Sequence, residues 1–232
     1  MVSKIPKRIL KDIQEAQSEE FQKQGIYYWS NPESVFRGQA LIRGNEKTPY
    51  EFGYGLFDIV FPQDYPFQPP TVYWKTNDGS TRFHPQLYRE GKVCLSILGT
   101  WSGPGWASCM NLAAILQILQ SLFVENPLAC EPGYEGGTLQ DSKFRGYAKT
   151  VEFHWCALMI DTLLSYKKSQ FCIWENFKEV LEEEYEKLKG NLIEKVKEQA
   201  KVPDEEYSSI PFFYRAVRTH WGELLPKLES LP

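Results

Sequence analysis

At 232 residues, 42% hydrophobic and 15% aromatic, the chain is long enough to bury a full core as one domain, or as one domain with an appendage. A formal net charge of −4 gives no electrostatic case for a nucleic-acid surface, and no apolar run approaches the roughly 20 residues needed to span a bilayer. The five cysteines are scattered and form no Cys-x-x-Cys pair, which argues against a zinc site or a thioredoxin-like couple and for a reduced, intracellular protein.

The N-terminus, Met1 to Arg8, has no continuous apolar stretch behind it and does not read as a signal peptide. Ile5, Ile9, Leu10, Ile13, Ala16 and Phe21 recur at helical spacing and predict an amphipathic helix over residues 6–24, ended by Gly25. Lys4, Lys7, Arg8 and Lys11 give its start a basic face without an acid, which reads either as a solvated face or as a surface that steers a partner. Aromatic and branched residues then dominate, and strands are expected at 26–30, 35–42, 52–61 and 71–75. The turn signals Asn31-Pro32, Arg43-Gly44-Asn45 and the proline-rich run 62–70 separate them at intervals that suit hairpins and leave no room for helical crossovers. A four-stranded antiparallel meander follows.

The next stretch, Arg82 to Trp106, is centred on Cys94. Gly91 marks a turn, Val93-Cys94-Leu95 is a short apolar run, and Gly99, Gly103, Pro104 and Gly105 break any regular structure. A cysteine so placed is pinned by apolar neighbours, and the loops around it are expected to leave its sulfur accessible to a substrate as large as a protein. Beyond it, Leu112, Ile115, Leu116, Leu119, Leu122 and Phe123 predict a largely buried helix over 110–124. Residues 131–137 read as a glycine- and proline-rich loop and 141–165 as a second long helix. Phe177, Val180, Leu181, Tyr185, Leu188, Leu192 and Val196 continue with an amphipathic helix, expected to break at Gly190 and stop at Pro203. The aromatic run from Pro211 to Trp221 is too apolar to stay solvated, so the tail is expected to pack as helices on the rest of the chain.

Three of these segments carry a resemblance. His84-Pro85-Gln86, followed after seven residues by Cys94-Leu95, is similar to the His-Pro-Asn and catalytic-cysteine signature of ubiquitin-conjugating enzymes. The segment from Phe61 to Pro70 resembles that family's proline-rich strand-to-loop passage, and Glu125-Asn126-Pro127 through Glu131-Pro132 resembles the loop facing the cysteine. The run from Gly91 to Trp101, with Glu131-Pro132-Gly133-Tyr134-Glu135, is similar to the Z-type branch of the family. The resemblance implies an α+β, UBC-like fold: an N-terminal helix, a four-stranded antiparallel meander, the catalytic segment, then C-terminal helices. It places the ubiquitin-conjugating (UBC) core at residues 1–166 and leaves 167–232 as a helical extension packed on that core.

It further implies that Cys94 takes ubiquitin or a ubiquitin-like modifier from an activating enzyme as a thioester, in an ATP-dependent pathway, and passes it to a substrate lysine, usually with a ubiquitin ligase. A thiol is a better nucleophile than a hydroxyl at neutral pH, and the donor here is already a thioester, so a strongly activated sulfur is not required. Attack by a lysine, with an ordinary pKa of about 10.4, is the harder step and needs a stabilised oxyanion. At the matching positions stand Gln86, where the family carries asparagine, and Glu131, where aspartate is commoner; Ser96 replaces an aspartate that many members carry after Cys-Leu. His84 matches a histidine that braces the loop. Lys7, Arg8 and Lys11 on the first helix, with Phe67, Trp106 and Ala107 in two loops, match the surface gripped by the activating enzyme and by ligases. Residues 99–105, with Trp101, form an insertion relative to short-loop members. Cys109, Cys130, Cys156 and Cys172 are expected as small hydrophobes in or near the core.

No cofactor or metal is expected, and no nucleic-acid or membrane partner. The chain is expected to be a monomer in the cytoplasm, with the nucleus as a second compartment. Two other readings stand beside this one. The first is a catalytically weak binding protein or adaptor with the same fold, kept open by Gln86 and opposed by the presence of Cys94. The second is a Cys-His hydrolase with His84 as its base, opposed by the proline beside that histidine.

Overall fold

The computed structural model describes residues 7–167 and 172–231; Pro6 of the predicted first helix, with Lys4 of the basic cluster and Ile5 of the apolar pattern, lies outside them. In α1 (Lys7–Ala16) the stripe Ile9, Ile13 and Ala16 is buried. The single helix expected over 6–24 is in fact two. The chain leaves the helix after Ala16, Ser18 takes an extended conformation (φ −69°, ψ 153°), and α2 (Glu19–Lys23) starts afresh behind it. Serine before two acids is a start signal in its own right, because carboxylates favour the positive end of a helix.

The strands β1 (Ile26–Ser30), β2 (Arg37–Arg43), β3 (Tyr54–Val60) and β4 (Thr71–Trp74) form the predicted meander. The register aligns Tyr28, Ala40, Phe57 and Trp74 across the four strands, and all are buried. Helix α3 (Leu112–Ser121) begins at Asn111, whose side chain accepts the Ala114 amide at 2.9 Å, and packs on α1 and β2. Helix α4 (Ser142–Lys167) contributes Trp155, which stacks on Trp74 at 6.4 Å and 12°. Gly55 is required here: a Cβ at that position would meet Phe123 at 2.6 Å and Trp74 at 2.8 Å.

A polar tie fastens α1 to α3. Asp12 is 1% exposed; its Oδ1 accepts Arg8 Nε at 2.8 Å, and its Oδ2 accepts the Leu112 amide at 3.1 Å and the Tyr65 hydroxyl. Burial, then Asp12, push the Tyr65 phenol well above its ordinary range, so it stays a donor. Arg8 also reaches the Met110 carbonyl at 2.5 Å. Asp12→Ala strands these donors and is expected to cost about 2–3 kcal/mol, read as a lower urea midpoint. Asp12→Asn keeps an acceptor and should lose less; equal losses would assign the effect to the charge alone.

Helix α5 (Lys178–Gln199) buries Leu181, Tyr185, Leu188, Leu192 and Val196 and runs straight through Gly190. The break expected there does not occur. Gly190 is exposed, with open space where a Cβ would stand, and its helical cost of about 1 kcal/mol is less than the burial of one leucine supplies. The segment beyond is not all helical either: β5 (Glu205–Tyr207) and β6 (Val217–Thr219) pair as an antiparallel hairpin before α6 (Leu225–Glu229). Strands of three residues are too short to show a period.

Several contacts join residues 172–231 to the preceding chain. Arg43 pairs with Glu184 at 2.7 Å, Lys227 with Asp161 at 2.7 Å, and Asn176 donates to Gln39 at 2.8 Å. Trp174 meets Tyr54 edge-on at 5.8 Å. Phe212 and Phe213 each lie 6.1 Å from Tyr147, whereas Tyr214, expected to pack with them, is 95% exposed.

Glu152 lies between Lys149, at 2.9 Å, and Lys195 of α5. Burial pushes its carboxyl up, but the two cations outweigh burial and hold it below the usual carboxylate range. A depressed folded-state value contributes stability that is full above the ordinary carboxylate range and is lost as pH falls through the folded value. The stability difference between wild type and Glu152→Gln is therefore expected at about pH 7 and should shrink below about pH 4. A difference that stays constant across that range would leave the ion pairs without a share.

Candidate active site

The segment after β4 folds back along it. The Trp74 amide donates to the Gly91 carbonyl at 2.8 Å, and antiparallel bridges join Tyr73 to Lys92 and Leu87 to Val93. This return brings the two halves of the motif together, with the Cys94 amide donating to the Gln86 carbonyl at 2.9 Å.

His84 is fully buried, and its Nδ1 accepts the Gln86 amide at 3.1 Å. The ring proton therefore belongs on Nε2, which has no hydrogen-bond partner among the described residues. Burial, then the Arg82 cation, lower its pKa to about 3, so the ring is neutral at physiological pH. Its acceptor nitrogen already holds the turn, which leaves no lone pair for the base of a Cys-His hydrolase. His84 is a brace.

Sequence reasoning missed the residues that hold this brace. Arg82 donates to the carbonyls of His84, at 3.2 Å, and Pro85, lies 3.4 Å above the Tyr88 ring and faces Phe212 at 5.2 Å. The Tyr147 hydroxyl donates to the Arg82 carbonyl at 2.6 Å, and Arg89 donates to the Phe212 carbonyl. Phe212 is held at φ +68°, a left-handed conformation that bulky side chains rarely adopt, with its ring and carbonyl both engaged. No local signal pairs residue 82 with residue 212, so chemistry near the ends of the chain could not reveal it.

Cys94 is 3% exposed, and its Sγ lies 3.2 Å from the Thr100 carbonyl oxygen. The sulfur expected to be accessible is covered, because the loop after Leu98 turns back over it. Gln86 is half-buried, and its Oε1 is buried without a hydrogen-bond partner among the described residues. Glu131 is also half-buried, at the end of a short 3-10 turn, Pro127–Cys130; its amide donates to Leu128 at 3.1 Å and its carbonyl accepts from Tyr134 at 3.0 Å. Asn126 closes that loop by donating to the Gly137 carbonyl at 2.9 Å.

On the presumed contact surface, Lys7, Lys11 and Ala107 are exposed and Phe67 is 75% exposed. Arg8 is committed to Asp12 and to carbonyls of the 108–110 loop, so it is not a free surface charge. Trp106 is half-buried, with its Nε1 donating to the Pro66 carbonyl at 2.7 Å, and thereby ties the loop carrying Phe67 to the one carrying Ala107. Of the remaining cysteines, Cys156 is buried with its thiol pushed up to about 12 by burial, and burial likewise raises Cys130 and Cys172. Cys109 is exposed and is not the core residue expected. Among the described residues, no group of three or more His, Cys, Asp or Glu side chains is placed to hold a metal.

A family model described as ubiquitin-conjugating enzyme matches residues 8–153. The chain is 47% identical over 112 residues to ubiquitin-conjugating enzyme E2 Z of Xenopus tropicalis, covering 48% of this chain and 36% of that protein. It is 41% identical over 152 residues to the probable ubiquitin-conjugating enzyme protein 17 of Caenorhabditis elegans, covering 62% of this chain and 20% of that one. The chain thus spans about a third or less of the length of these curated relatives. A solved Toxoplasma gondii ubiquitin-conjugating enzyme domain is similar at 24% identity and a TM-score of 0.48, over 64% of this chain and 94% of that one.

Proposed function

The chain belongs to the ubiquitin-conjugating enzyme family, close to the Z type, and from that premise we propose that it carries ubiquitin or a ubiquitin-like modifier as a thioester on Cys94 and transfers it to a substrate lysine. The observation that supports this reading best is the backbone pairing of Cys94 with Gln86 at 2.9 Å, which sets the cysteine beside an amide-bearing residue.

In the first step the Cys94 thiolate attacks the carbonyl carbon of the thioester on the activating enzyme. A new carbon–sulfur bond forms, the bond to the donor sulfur breaks, and the departing thiolate takes up a proton in place of the one Cys94 released. One thioester replaces another, so the step is close to thermoneutral. In the second step a neutral lysine amine attacks the thioester carbon, Gln86 supplies the amide that meets the oxyanion, and Glu131 orients the amine. Collapse forms the amide bond, expels Cys94 as a thiolate, and passes the amine's proton to solvent. Lys7, Lys11, Phe67 and Ala107 form the exposed surface for the activating enzyme and the ligase, with Trp106 holding its two loops together. We place the protein in the cytoplasm and nucleus, as a monomer.

The covered sulfur of Cys94 favours a second reading, an adaptor of the same fold that binds without transferring. The two are separated by incubating the full chain with ATP, a panel of activating enzymes and their modifiers, then running a non-reducing gel. An adduct that reductant removes is the expected result. No adduct with any pair of enzyme and modifier would support the adaptor.

A further inference from the structure

The residue that covers Cys94 is stitched to both of its neighbours. Thr100 Oγ1 donates to the Val93 carbonyl at 2.7 Å, with the Leu95 carbonyl at 3.1 Å, and accepts the Leu95 amide at 2.9 Å. The Thr100 amide donates to the Leu95 carbonyl at 3.2 Å. One hydroxyl thus satisfies backbone groups immediately before and after the nucleophile, as a strand partner would, and this fixes the Thr100 carbonyl against Sγ.

That arrangement suits a thiol at rest and opposes its reaction. A protonated sulfur can donate to a carbonyl oxygen, whereas a thiolate has no proton to offer and would face the oxygen's lone pairs. Only 3% of Cys94 is exposed, and the Thr100 carbonyl oxygen stands 3.2 Å from its sulfur, on the side an acyl group would share. Two weaker ties also hold the cover: the Gly99 amide donates to the Ser96 carbonyl at 2.9 Å, and Gly103 lies so close that a Cβ there would meet the Ser96 Cβ at 3.1 Å. Trp101, Ser102, Gly103, Pro104 and Gly105 are nonetheless all exposed, and a Cβ on Gly99, at φ +67°, or on Gly105 would stand in open space. Beyond Gly105 the chain is fixed again by Trp106 on Pro66. The loop is therefore fastened most firmly at Thr100 and Trp106, with the exposed Gly105 just inside the second fastening.

We propose that Thr100 is a positioning residue that latches the loop of residues 99–105 over Cys94, and that release of its hydroxyl uncovers the sulfur for acyl transfer. The inference rests on Cys94 being the acyl carrier, but its test needs neither modifier nor activating enzyme. The full chain is treated with iodoacetamide, and modification of Cys94 and Cys109 is followed separately by peptide mass spectrometry. In wild type, Cys94 is expected to react much more slowly than the exposed Cys109. Thr100→Val, which removes the hydroxyl and keeps the branched shape, should speed Cys94 by roughly five- to tenfold, the scale of one net hydrogen bond, and leave Cys109 unchanged. Thr100→Ser should react as wild type does. Equal Cys94 rates in wild type and Thr100→Val overturn the latch. So does a wild-type Cys94 that reacts as fast as Cys109, a result that needs no variant to fold. Failure of charging with these alkylation rates intact would count against the proposed function and leave the latch standing.

Discussion

Cys94→Ser is expected to convert the reductant-sensitive adduct into one that survives reductant, and Cys94→Ala to abolish it. The serine would form an oxyester through the same attack geometry, since Oγ replaces Sγ on an unchanged backbone still bonded through its amide to Gln86. The other cysteines compete poorly for different reasons. Burial raises the thiols of Cys130, Cys156 and Cys172, which removes thiolate, and Cys156 has no path to solvent. Cys109 is the real competitor because it is exposed, but it lies in the turn before α3, away from the segment that pairs Cys94 with Gln86. The measurement is the intensity of the modifier-sized band with and without reductant in wild type and both variants. A thioester that persists in Cys94→Ala would move the acyl site to Cys109 and sink the assignment.

How far the sequence could be read depended on the range of the interaction that decided each feature. The meander was legible because its turns are written locally, in Asn31-Pro32, Arg43-Gly44-Asn45 and the prolines of 62–70, whereas its register was not, since β2 and β3 are buried in continuous runs with little alternation to read. The link between His84-Pro85-Gln86 and Cys94 was legible only through the family resemblance, and Gly91, at φ +94°, lies in the stretch that returns one to the other. The break between α1 and α2 was as local as the turns of the meander: the apolar stripe of α1 ends at Ala16, and the step of five to Phe21, across Ser18 and two acids, is out of helical phase. At Gly190 the error has the opposite sign: a local helix breaker was overruled by five buried side chains of α5. Asp12, Arg82 and Thr100 were illegible in a stronger sense. Each is an ordinary polar residue that binds at least one distant or looped-back backbone group, and any sequence offers those everywhere. The covered state of Cys94 belongs to this class, which is why composition around the cysteine suggested open loops.

Gln86→Ala is expected to leave charging of Cys94 nearly intact while slowing attack by lysine by roughly 10²–10³, the usual effect of deleting one oxyanion donor. The structure makes the two steps separable. Gln86 fixes the segment through its backbone, with its carbonyl accepting from Cys94 at 2.9 Å and its amide donating to His84 at 3.1 Å, and alanine retains both bonds. What alanine removes is the side-chain amide, whose oxygen is buried without a hydrogen-bond partner among the described residues and so makes no bond there that holds the loop. A group that does not brace the resting structure, at a position where the family places its oxyanion donor, is available to the transition state. Gln86→Asn shortens the reach by one methylene and should recover most of the rate if the amide meets the oxyanion. The measurement is single-turnover discharge of pre-loaded enzyme to free lysine, with charging and the melting midpoint followed in parallel. Loss of charging and of stability together in Gln86→Ala would show instead that the side chain holds the loop. Equal discharge by wild type and both variants would transfer the catalytic work to another residue, and Glu131, half-buried at the end of the 127–130 turn, is then the carboxylate to replace by glutamine.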